Sequence, residues 1–164
     1  MESDILKLTR LCYVPRWVIV PMLRHQSVAE HTFRVTIIVM ALVESKKWSA
    51  GSIGALIREA LIHDAEEIYT GDIPSTANDA VKTTYPNLHF HDDSVPPIYG
   101  FIIKVADIVE AITWFKKNHN TSETRYADIL GSMLASLHRL KDHPHFDRDV
   151  FGRAEQLIHS EEIE

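Results

Sequence analysis

The segment "ALIHDAEEIYTGDIP", residues 60 to 74, sets two ligand-type residues, His63 and Asp64, side by side in an apolar run. Glu67 follows one helical turn later, and Gly71 and Asp72 come just after it. Polar groups in such a run cost stability unless something satisfies them. A metal ion would do so, and its remaining ligands must then come from elsewhere in the chain.

Working outward, the periodicity predicts helices joined by short loops. One helix runs from about Ser52 to Tyr69, with Leu56, Ala60, His63 and Glu67 on one stripe and Glu66 off it, facing solvent. Gly71 ends it. Upstream, "SVAE" at 27 to 30 reads as a capping box opening a helix to about Lys46. Val28, His31, Val35, Val39 and Leu42 share its face, so His31 points inward. A modest helix over 4 to 13 precedes an irregular stretch marked by Pro15 and Pro21. Downstream come a short helix around 76 to 84, a loop over 85 to 97, and an apolar helix from Pro97. The inner face of that helix carries Ile103, Ala106, Asp107, Glu110, Ala111 and Trp114. A helix beginning after Ser122 and a last one over about 147 to 160 complete the chain. No strand pairs or repeats are evident. The expected class is all-α, a compact helical bundle forming a single domain over residues 1 to 164.

The net charge of −6 argues against a nucleic-acid partner, which calls for a broad basic footprint. No apolar run reaches the ~18–20 residues of a membrane span. The N-terminus resembles no signal or transit peptide, so the expected location is cytoplasmic. The single cysteine, Cys12, fits a reducing compartment and is expected to pack in the first helix.

Four inward polar residues from three helices stand out: His31, His63, Asp64 and Asp107. Two imidazoles and two carboxylates suit zinc, manganese, iron, cobalt or nickel better than calcium. Such an ion acidifies a water and can clamp a phosphoryl oxygen. Glu67 lies within reach of that water as a catalytic acid/base, and Asp72 could act from the other side. Each has a plain alternative. A lone inward histidine such as His31 is often a hydrogen-bonded core residue, and Asp72 could be only a turn residue.

These motifs carry a resemblance. "RW" at 16 to 17, "SVAEHTFRV" at 27 to 35, "HDAEEIYTGDIP" at 63 to 74 and "KVADIVEAI" at 104 to 112 resemble the HD-domain metal-dependent phosphohydrolases. Within that superfamily the chain resembles the YfbR-like 5′-deoxynucleotidases, and equally the compact phage dATP triphosphohydrolases of the DatZ group. The resemblance implies His31, His63, Asp64 and Asp107 as metal ligands, with Glu67 and Asp72 as catalytic and water- or sugar-orienting residues. It implies Arg16 on phosphate and Trp17 on the deoxyribose, where an indole face leaves no room for a 2′ hydroxyl. A bland reading makes Arg16 and Trp17 a cation–π surface pair. The resemblance also implies one divalent transition metal per subunit (Zn, Co or Mn), Mg accompanying a triphosphate, and a homo-oligomer, dimer or hexamer.

In the resembled phage enzymes a Trp followed two residues later by Ile lines the base pocket, and Trp17 and Ile19 stand in that relation. The expected reaction is hydrolysis of dATP at its 5′ phosphate. The alternatives are a 5′-deoxynucleotidase acting on dNMPs and a catalytically weak nucleotide-sensing HD protein. Were the gene phage-borne, the compartment would be the host cytoplasm. Lys82 and Lys104 either hold phosphate or are, respectively, plain surface and a partner of Asp107; Arg24 is a further candidate for the outer phosphates. The clusters "NLHFHDD" (87–93) and "KDHPHFD" (141–147) read as solvated loops.

Overall fold

The computed structural model describes residues 6–72, 94–120 and 124–160. The expected helix at 76 to 84, Lys82, the cap at Ser122 and the "NLHFHDD" cluster lie outside the described residues.

Six α-helices are described: α1 (Val28–Val43), α2 (Ala50–Ile62), α3 (Glu67–Thr70), α4 (Pro97–Asn118), α5 (Tyr126–Arg139) and α6 (Arg148–His159). Polar side chains set several of their starts. Ser27 Oγ accepts the Glu30 N–H at 3.1 Å, Ser49 Oγ accepts from Ser52, and Asp147 accepts from the N–H groups of Asp149 and Val150. Pro97 sits in the first turn of α4, where a missing N–H costs little. The capping box is only half made, because the Glu30 carboxylate turns outward to pair with Arg24.

α4 is the central element. Phe101, Ile102, Val105, Ala106, Val109 and Ile112 are buried along it, against Val35, Val39 and Leu42 of α1 and Leu137, Val150 and Phe151 of α5 and α6. Burying each large side chain of this kind contributes about 1.5–3 kcal/mol. Asp107 and Glu110 are carried on a helix that packing fixes from both sides. No helix among the described residues is long and apolar enough to cross a membrane.

Three expectations need correction. The first helix is a 3-10 segment, Leu8–Tyr13, and Cys12 is exposed. A strand pair does exist: β1 (Pro15–Arg16) runs antiparallel to β2 (Gln26–Ser27), with Arg16 opposite Gln26. Two-residue strands leave no alternating pattern to read, and the all-α class stands. The helix expected over 52–69 also breaks. α2 ends at Ile62, residues 63–66 form turns, and α3 starts afresh at Glu67. The i→i+3 bonds Ala65 N–H to Ile62 O and Glu67 N–H to Asp64 O tighten this passage. Adjacent residues on a regular helix would point about 100° apart. Here the turn lets both His63 and Asp64 face His31. Gly71, at φ 73°, then ends α3 in a conformation that suits glycine.

Candidate active site

Three chain segments bring the expected ligand-type residues together. His31 from α1, His63 from the turn after α2 and Asp107 from α4 place their ligand atoms within 4.8 Å of one another. Asp64 joins them: its Oδ2 is 3.5 Å from His31 Nε2 and 3.3 Å from His63 Nε2. Asp107 Oδ1 lies 3.3 Å from His31 Nε2.

The hydrogen bonds behind the imidazoles fix which nitrogen faces inward. His63 Nδ1 sits 2.8 Å from the Ala60 carbonyl oxygen, which can only accept, so Nδ1 carries the proton. His31 Nδ1–H donates to Glu110 Oε2 at 2.7 Å. Both Nε2 atoms are buried and find no hydrogen-bond partner among the described residues. Two buried ring nitrogens facing two carboxylates are a donor set that fits a divalent transition metal.

Burial lowers the pKa of His63, which favours the neutral form that ligates. Burial and Arg16 oppose protonation of His31, but contacts with Asp107 and Glu110 outweigh them and carry its pKa up to about 9. Burial also disfavours the Asp107 carboxylate. Close contacts with His31 and Lys104 nevertheless hold its pKa well below the ordinary value.

Glu67 borders this group. Burial, with the charges of Asp64 and Asp72, pushes its pKa up to about 9, and its Oε2 has no hydrogen-bond partner among the described residues. The Asp72 carboxylate accepts the Trp17 backbone N–H at 3.2 Å, which ties the segment after α3 to the loop after β1. Arg16 reaches Asp64 at 3.4 Å, and burial is outweighed by Asp107, Asp64 and Asp72 in raising its pKa.

These residues border a cleft of about 1070 Å³. Arg16, Trp17 and Ile19 line it on one side, and Ile129, Ser132 and Arg139 of α5 on another. Trp17 takes a left-handed backbone, φ 62°, and stacks on Phe115 with centroids 5.8 Å apart, rather than pairing with Arg16. An aromatic residue in that region is uncommon and costs about 1–3 kcal/mol, and it aims the side chain. Ile19 is 68% exposed. Lys104 lines the cleft and also pairs with Asp107 at 2.7 Å. Arg24 is not brought there; its guanidinium lies over the Trp114 ring at 4.5 Å.

Five of the seven residues of the "KDHPHFD" cluster are exposed, as expected, and His143 and Asp147 are half-buried. Asp147 caps α6 and pairs with Lys46, and the half-buried His143 ring packs 5.3 Å from Phe101. Sequence reasoning gave Glu110 no role beyond its place on the inner face of α4. Its position three residues after Asp107, on the same buried face, was the available signal.

Comparison with known proteins follows the same lines. The family described as HD domain matches residues 8–90. A dATP triphosphohydrolase of Salmonella phage PMBT28 is 33% identical over 127 residues, 68% of this chain and 65% of that protein. The chain thus spans just under two thirds of that relative. A 5′-deoxynucleotidase of Photorhabdus laumondii is 26% identical over 96% of this chain and 85% of its own length. Among solved structures, the cyanophage S-2L HD phosphohydrolase DatZ, bound to dA and one catalytic Zn²⁺, superposes with a TM-score of 0.77. That likeness covers 93% of this chain and 92% of the other at 22% identity, and it shows a shared fold.

Proposed function

We propose that this chain, which belongs to the HD-domain family, hydrolyses a deoxynucleotide at its 5′ phosphate in a metal-dependent reaction, with dATP as the substrate. The observation that carries the reading is the pair of buried Nε2 atoms of His31 and His63, without a hydrogen-bond partner among the described residues, facing Asp64 and Asp107 beside the cleft. Those four residues would hold the ion, one per subunit, as zinc, cobalt or manganese. When bound, such an ion supplies Lewis acidity at a phosphoryl oxygen and lowers the pKa of a water.

The chain's own residues supply the rest. Arg16 offers a charged planar fork to phosphate oxygens and is oriented by Asp64. Glu67 holds or moves a proton at its buried carboxyl, next to the ligand cluster. Asp72, fixed by the Trp17 N–H, stands where it can orient water or sugar. Trp17 presents its ring to the deoxyribose, and Ile19 borders the base. A β-branched side chain beside adenine excludes the 2-amino group of guanine, a discrimination of about 1–3 kcal/mol.

The second reading is a 5′-deoxynucleotidase acting on dNMPs. The pairing of Lys104 with Asp107 favours it, because that cation is already balanced. Arg125, just before α5, and Arg139, at its end, line the cleft beside Asp128 and Asp142; a longer phosphate chain there would call on the two arginines, with Mg accompanying it. The reading includes a single folded unit, a cytoplasmic location and a homo-oligomer, a dimer or hexamer.

The test is product analysis after incubating zinc-loaded protein with dATP, dGTP, dAMP, dGMP and ATP. Deoxyadenosine from dATP, with little product from dGTP or ATP, is expected. Turnover confined to several dNMPs would establish the second reading. Ile19→Ala should gain dGTP hydrolysis, and an unchanged base preference would remove the role given to Ile19.

A further inference from the structure

A buried chain of hydrogen bonds runs from the cleft wall to the imidazole of His31. The Trp17 indole Nε1–H donates to Gln26 Oε1 at 3.2 Å. Gln26 Nε2–H donates to Glu110 Oε1 at 2.8 Å, and His31 Nδ1–H donates to Glu110 Oε2 at 2.7 Å. Arg34 Nε–H donates to Glu110 Oε1 at 2.7 Å, so the carboxylate is held from three sides. Gln26 is 1% exposed and Glu110 is fully buried.

We propose that Gln26 is a positioning residue that ties the orientation of the Trp17 indole, through Glu110, to the His31 imidazole. The functional meaning of this link rests on the reading that Trp17 meets the sugar and His31 the metal.

Among the described residues, Gln26 bridges the Trp17 indole and the Glu110 carboxylate. Its amide has one acceptor and one donor end, and the acceptor meets the indole while the donor meets the carboxylate. An amide so used cannot flip without losing both bonds. The pairing of β1 with β2 puts Gln26 opposite Arg16, so the backbone that places the amide also places the residue before Trp17. Trp17 is then constrained at three points: backbone N–H on Asp72, ring face on Phe115, and indole N–H on Gln26. A change at His31 on metal binding is transmitted to the indole along this chain, and a substrate seated on Trp17 meets a ring already oriented. Buried networks of this kind orient ligating residues and are sensitive to loss of one member.

The test follows the Trp17 indole N–H resonance during a Zn²⁺ titration, in the wild type and in Gln26→Met, which matches the side chain in length but not in polarity. The chain has three tryptophans, so loss of one indole peak in Trp17→Phe assigns the resonance. Wild type should show a zinc-induced shift, and Gln26→Met should lose most of it. Zinc affinity in Gln26→Met should fall by less than the ~10–100-fold typical of a residue bonded directly to a ligand. Deoxyadenosine should bind the zinc-loaded variant about 3–10-fold more weakly. Should Gln26→Met fail to fold, Gln26→Asn keeps the amide but cannot span both partners, and the same results are expected. An indole resonance indifferent to zinc in wild type, or shifted equally in the variant, overturns the proposal. A wild type that shows the link but hydrolyses no deoxynucleotide defeats the proposed function and leaves the positioning role intact.

Discussion

Glu67 is half-buried, and its Oε2 finds no hydrogen-bond partner among the described residues. Burial, with the charges of Asp64 and Asp72, raises its carboxyl pKa to about 9. Glu67→Gln keeps the shape and removes the proton exchange. We expect kcat for deoxynucleotide hydrolysis to fall by about 10²–10⁴-fold with zinc content per chain unchanged, as steady-state kinetics and metal analysis would show. An unchanged kcat would strip Glu67 of its acid/base role. Residue types at this scale were legible because metal-ligating chemistry uses few side chains, and His63 with Asp64 is a conspicuous pair in an apolar run. Glu110 and Gln26 were less so. Their partners lie up to 84 residues away, and no local pattern records a long-range hydrogen bond.

At the scale of the element, Asp147 is a helix cap whose charge has a distant partner. Its Oδ2 lies 2.7 Å from Lys46 Nζ, which stands just past α1, and its Oδ1 accepts two N–H groups of α6. Burial opposes its charge, but Lys46 and those N–H groups outweigh burial and lower its pKa below 3.8. A carboxylate with a depressed folded-state pKa stabilises above its unfolded pKa, and that contribution is lost as pH falls through the folded value. Asp147→Asn retains a capping oxygen but loses the ion pair. Urea denaturation should find the wild type more stable than Asp147→Asn at neutral pH, with the gap closing below about pH 4. A gap that persists at pH 2 would assign the effect to something other than charge. Helix starts were legible from Ser27 and the 147–160 pattern because caps are local. The break after Ile62 was not, since the apolar stripe through Leu56, Ala60 and His63 continues across it. The i→i+3 tightening that turns Asp64 toward His31 has no signature in spacing alone.

For the whole molecule, the ligand cluster joins α1, the turn after α2, and α4, so an ion there would bridge elements far apart in sequence. Anything that binds the folded state alone stabilises it, by about 2.7 kcal/mol at 100 times Kd. For a chain of this size that corresponds to a rise in Tm of ~5–10 °C. Zinc should raise the Tm of wild type in thermal scans, and His63→Ala should remove the rise. An equal rise in His63→Ala would place the ion elsewhere. The all-α bundle was legible because helical periodicity and caps agree along most of the chain. The minimal β1–β2 pair was not, although it sets Arg16, which lines the cleft, opposite the buried Gln26.

The most direct measurement is the rate of deoxyadenosine release from dATP as zinc is added in steps to metal-free protein, with Asp64→Ala run in parallel. The account predicts a rate that rises to a plateau at one zinc per chain in the wild type and is nearly abolished in Asp64→Ala. No release at any zinc loading, or equal release from Asp64→Ala, would contradict it.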